Sequence, residues 1–223
     1  MRLSIHSAAP LAIALVLATS AVPGVAAQEP VTYTLVITSG GSEIGQESIR
    51  LGPGSSGPGA TTLTGTARYP ALRARVQLTG VIERSSDGVL TAAQFDLQTP
   101  EHAWRSYVQA SARRLTVRTA TEGRESAREY PFGPRTVVLD DSLFAPWLAV
   151  AALAGERPVS VGAVWPRTGA RGTLTLERAG TSTGGTVVRV SGGASAEIEF
   201  QRNGRLIRVI LPTRDLTATV SGP

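Results

Sequence analysis

The chain has 223 residues, with 22 basic against 17 acidic side chains, a formal net charge of +5, and no cysteine. Without cysteine there is no disulfide, no thiolate metal centre and no acceptor for an N-terminal lipid, so stability has to come from a packed core. Every basic residue is arginine; the excess is small and no ladder of aromatic residues accompanies it, which argues against nucleic acid as a partner.

Arg2 precedes an uncharged apolar run from Pro10 to Val22, and Val25-Ala26-Ala27 puts small residues where a signal peptidase cuts. Residues 1–27 are therefore predicted to be a secretory signal peptide, removed before Gln28. The run is shorter than the ~20 residues of a spanning helix, and no later segment is longer, so no transmembrane segment is expected in the mature chain. Residues 28–223 lose Arg2 and keep every acid, leaving 21 basic against 17 acidic residues. They are long enough to bury one core and are predicted to form a single β-rich domain. The expected location is periplasmic or secreted, in a bacterium whose GC-rich coding explains the lysine-free composition.

From Thr32 onward the pattern is period-two alternation of β-branched residues, which predicts an all-β, mainly antiparallel fold. Strands are expected over Thr32–Thr38, Glu43–Leu51 and Thr62–Tyr69, with a turn at Gly40-Gly41 and a flexible Gly/Ser/Pro loop over Gly52–Ala60. Leu72–Arg84 alternates most clearly, with Leu72, Ala74, Val76, Leu78 and Ile82 on one face. Asp87-Gly88 turns the chain into Leu90–Leu97, whose Phe95 and Leu97 face inward. Trp104–Ala110, Arg114–Ala120 and Glu125–Tyr130 continue the meander, and Ser111–Tyr130 is polar enough for a long exposed hairpin.

The pattern then changes once. Asp140–Leu153 reads as a helix, capped by Asp141 or Ser142 and ended by Gly155 with Pro158 beyond. Pro146 is tolerated only in a first turn, which sets the regular helix near Ala145. A short helix near 142–154 that is apolar nearly all round is expected to be buried. Strands resume over Val159–Trp165, Gly172–Arg178 and Thr186–Ser191. Ala196–Gln201 and Leu206–Leu211 flank Asn203-Gly204, a strong hairpin signal, and Leu216–Val220 ends the series. The fold class is therefore a rolled sheet or half-barrel with one short apolar helix.

Catalytic chemistry finds little support. His102 is the only histidine after the signal and sits in a turn-like stretch beside Glu101. Ser142, His102 and Asp141 could be imagined as a triad, but there is no G-x-S-x-G elbow, and Asp-Ser is what a helix cap looks like. Zinc and calcium patterns are missing, as are phosphate-cradling loops. Glu197 and Glu199 alternate with Ile198 and Phe200, as on an exposed strand face. Arg113, Arg114, Arg118, Arg124 and Arg128 are interleaved with Glu122, Glu125 and Glu129, which reads as a solvated hairpin. No catalytic residue, metal or cofactor is predicted.

Three stretches together resemble a known group. They are Tyr33-Thr34-Leu35 with Gly41 and Ile44-Gly45-Gln46-Glu47; Val137–Phe144 leading into the apolar helix; and Ile198-Glu199-Phe200 with Asn203-Gly204-Arg205-Leu206 and Pro212. Their order is similar to exported bacterial domains of unknown function built as a rolled antiparallel sheet, akin to glycolipid-binding spiral β-roll proteins. The resemblance spans most of Val31–Val220 and implies a periplasmic β-roll with one packed helix; it brings no catalytic residue. The arginine-rich hairpin and the 52–60 loop depart from the pattern. The expected function is an exported, non-enzymatic cell-envelope protein holding an apolar or lipid-like ligand between sheet and helix. Phe144, Trp147, Leu148 and Trp165 are its candidate contacts. A structural or interaction protein of the envelope and a hydrolase of envelope glycans or esters stay open beside it; no protein partner can be named.

Overall fold

The computed structural model describes residues 29–71, 76–181 and 183–222. The predicted signal peptide and the first four residues of the strand expected over Leu72–Arg84 lie outside them. Among the described residues fifteen strands form one sheet. β1 (Val31–Ser39), β2 (Ser42–Pro53), β3 (Thr61–Tyr69), β4 (Val76–Arg84), β5 (Leu90–Gln98), β6 (Ala103–Ala110), β7 (Arg114–Thr121) and β8 (Arg124–Pro131) pair in chain order as an antiparallel meander. β9 (Thr136–Val138) then starts the opposite edge and pairs parallel with β10 (Val159–Trp165). β11 (Ala170–Gly180), β12 (Thr186–Gly192), β13 (Ala196–Phe200), β14 (Leu206–Leu211) and β15 (Leu216–Val220) return antiparallel until β15 pairs with β1.

This order dictates a roll. Laid flat, the two edges of such a sheet would stand about 67 Å apart at the usual strand spacing. Yet the edge strands β8 and β9 are joined only by residues 132–135, a link that reaches at most about 18 Å. The sheet must curl until its edges nearly meet. A seam contact follows: the Tyr130 hydroxyl at the end of β8 donates to the Gly169 carbonyl in the β10–β11 turn at 3.1 Å.

Alternation sends one side chain in two into the roll. Leu35, Ile37, Ile49, Leu78, Phe95 and Leu115 come from one half, Leu174, Leu176, Ile198 and Val209 from the other, all 2 % exposed or less. Helix α1 (Ala145–Ala151) packs inside against β3, β4, β9 and β13. Gly65 and Gly80, paired across β3 and β4, make the hollow for its start. A Cβ at Gly65 would lie 2.6 Å from the Ala145 Cβ, and one at Gly80 would lie 3.0 Å from Leu143 Cδ1. Among the described residues no helix is long and apolar enough to cross a membrane.

The structure corrects the sequence reading at several points. The helix is shorter than 142–154, because Pro146 falls in its first turn and residues 140–144 form an irregular entry instead. Neither Asp141 nor Ser142 caps it; Phe144 is the N-cap residue and its side chain makes no capping bond. The hairpin over Ser111–Tyr130 is exposed on β8 but not on β7, where Leu115 and Val117 are buried. β9 was not expected, since three residues are too few to show a period.

A candidate ligand-binding cleft and its buried polar support

The residues that place the helix are polar and come from far away in sequence. In β2 the register slips between Ile37 and Thr38 of β1, which leaves Ile44 as the extra residue of a bulge. Beyond it Gly45, Glu47 and Ile49 face inward. Glu47 is fully buried. Its Oε2 accepts the Phe144 N–H at 2.7 Å and its Oε1 the Ala145 N–H at 2.9 Å. These are N–H groups that a helix start leaves without partners, so a carboxylate from β2 supplies the missing cap. Burial pushes the Glu47 carboxyl up to about 7; the two backbone N–H groups pull the other way, and Asp140 adds a little to the rise.

The entry segment is pinned from three more sides. Tyr69 donates its hydroxyl proton to the Ser142 carbonyl at 2.5 Å. Burial, together with the nearby carboxylates of Glu47 and Asp140, raises the Tyr69 phenol well above its ordinary range. Asp140, 3 % exposed, accepts the Ser142 N–H at 2.9 Å and pairs with Arg167 at 3.1 Å. Burial raises its carboxyl, and Arg167 opposes that rise. Asp141 points its carboxylate at Arg214, 2.6 Å away.

Beside this segment a cleft of about 580 Å³ opens between α1 and the β10–β15 half of the sheet. Its lining includes the buried Trp147, Trp165 and Leu211, which form the floor. Exposed residues form the rim, among them Arg171, Thr213 and Arg214. The Trp165 ring lies under Gly172, where an added Cβ would touch it at 3.6 Å, and Gly172 in turn lies against Gly193. Gly172 in β11 thus leaves the indole its place. Trp147 is 3 % exposed, and its Nε1–H is buried without an acceptor among the described residues.

Of the four contacts expected from sequence, Trp147 and Trp165 meet on this cleft. Phe144 is fully buried in the core and does not line it. Leu148 is partly buried against the core and is not among the lining residues either. His102 sits in an exposed turn, its N–H donating to Thr99 Oγ1 at 2.9 Å. Glu197 and Glu199 pair with Arg189 and Arg208. Among the described residues no three His, Asp or Glu side chains gather as a metal site. The lining offers apolar surface together with the hydroxyls of Thr168, Ser191, Ser195 and Thr213 and the guanidinium groups of Arg171 and Arg214.

No family model matches the chain, and neither does any curated protein. Among solved structures it is similar to a β-barrel-like protein of the domain of unknown function DUF1849 from Brucella abortus. That likeness has a TM-score of 0.54 at 9 % identity and covers 86 % of this chain and 95 % of the other. A DUF1089 family protein from Pseudomonas aeruginosa aligns over 86 % of this chain and 94 % of its own, at 12 % identity and a TM-score of 0.39. The first likeness establishes the fold: a β-barrel-like, mainly antiparallel rolled sheet. That fold is found in a bacterial protein of unknown function, and the all-β roll read from the sequence agrees with it.

Proposed function

We propose that this chain is an exported bacterial cell-envelope protein that binds a small lipid-like molecule in the cleft between α1 and the curved sheet. The observation that carries the reading is the cleft itself. Its volume of about 580 Å³ lies in the range of small-molecule sites. Its floor is apolar and aromatic, and its rim is polar, as an amphiphile requires. The signal-peptide pattern of residues 1–27 supports export.

Two measurements test it. Expression of the full chain in a Gram-negative host should yield an osmotic-shock fraction whose protein begins at Gln28; a product that keeps its N-terminus and stays in the cytoplasm contradicts export. For binding, Trp104→Phe leaves emission to the two cleft indoles, since the chain has three tryptophans. Dodecanol titrated into this variant should shift that emission saturably. Trp165→Ala should weaken the binding by about ten-fold or more, the loss expected for an aromatic contact of ~1.4 kcal/mol. An emission that ignores dodecanol and all related amphiphiles contradicts the site.

A further inference from the structure

The lining of the cleft, if it is the binding site, also says which amphiphiles fit. Two arginines, Arg171 and Arg214, stand on the rim against one carboxylate, Asp141. Asp141 is engaged by Arg214, while Arg171 makes no ion pair among the described residues. The rim is therefore net cationic. Arg214 also keeps donors to spare: a guanidinium carries five N–H groups in a fork, and one carboxylate takes two at most.

The floor beneath this rim is apolar: Trp147, Trp165 and Leu211 are buried. An apolar body over that floor with an anionic head at the guanidinium groups matches this arrangement. We propose that the ligand is an acidic amphiphile, an alkyl carboxylate or alkyl phosphate. Its oxygens accept from Arg171 and Arg214, and its apolar body lies along Trp165 and Leu211. Asp141 tunes the affinity, because its charge opposes the incoming anion and holds Arg214.

This rests on the cleft being the binding site, and the test separates the two claims. Dodecyl phosphate, dodecanoate, dodecanol and inorganic phosphate are titrated separately into the Trp104→Phe protein, following tryptophan emission. At least one acid should bind about ten-fold or more tightly than dodecanol, and the tighter acid identifies the head group. Inorganic phosphate alone should bind far more weakly than dodecyl phosphate. Arg171→Gln and Arg214→Gln should each reduce the acid preference by roughly five-fold and leave dodecanol unchanged; Asp141→Asn should tighten the acids by a similar factor. Equal binding of dodecanol and both acids overturns the acidic head and leaves the cleft standing. An acid preference that survives both arginine substitutions overturns the assignment of these residues. Phosphate binding as tightly as dodecyl phosphate overturns the amphiphile in favour of a free anion. Failure of every amphiphile overturns the cleft as well.

Discussion

Glu47 makes stability depend on pH in a direction opposite to that of most acidic groups. Its carboxyl lies at about 7 in the folded protein against 4.5 when unperturbed. Between these values the folded state holds a proton that the unfolded state has released. The sign follows: the contribution is fully present below about pH 4.5 and is lost as pH rises through 7. From pH 5 to pH 8 the loss integrates to about 2–3 kcal/mol for this group alone. Glu47→Gln removes the titration. It also removes one of two acceptor oxygens, so one of the Phe144 and Ala145 N–H groups is left facing an amide nitrogen, at a cost of about 1–3 kcal/mol. The variant should therefore be the weaker protein at pH 5, and the gap should close or reverse by pH 8. Urea melts of both proteins at pH 5, 6, 7 and 8, compared at equal slope, read this difference and cancel most other titrating groups. Parallel stability curves, with a gap that does not change with pH, would refute the raised Glu47 carboxyl.

Other consequences concern the same support. Gly65→Ala puts a Cβ at 2.5 Å from Glu47 Oε1 and 2.6 Å from the Ala145 Cβ, so the helix start must move. A loss of about 3 kcal/mol is expected, or roughly 6–12 °C in Tm by calorimetry, and an unchanged Tm contradicts the contact. Arg167→Leu leaves Asp140 buried without its cation and should destabilise by about 3 kcal/mol or more; adding Asp140→Asn should recover part of the loss, which a double-mutant cycle measures. Tyr130→Phe removes the seam bond to Gly169 and should cost about 1 kcal/mol in urea melts, with faster amide exchange along β8.

The sequence carried the strands well because most are long enough to alternate visibly. Thr61–Tyr69 and Leu206–Leu211 differ from their expected bounds by one residue or none. The roll was also legible, through many short strands around one apolar helix. The helix cap was not. Asp141 and Ser142 sit where a cap should, but Asp141 is drawn to Arg214, and the bonds to the helix start come from a residue 97 positions upstream. A faint signal existed: Glu47 lies two residues before Ile49 and so shares its face, a carboxylate in phase with the core. The bulge at Ile44 hid it by shifting the parity earlier in the strand. Trp147 and Trp165 could be named because large aromatics near a lone helix attract attention; Arg171 and Arg214 could not, since nothing local separates them from the other arginines. Phe144 and Leu148 were named on hydrophobicity alone, and that criterion cannot distinguish a core contact from a cleft lining.

The most direct test of the binding cleft is a crystal structure of the protein grown with dodecyl phosphate. The account predicts density for one chain lying against Trp165 and Leu211, with the phosphate oxygens within hydrogen-bond distance of the guanidinium groups of Arg171 and Arg214. An empty cleft at a ligand concentration that saturates binding in solution, or a chain bound elsewhere on the roll, would contradict it.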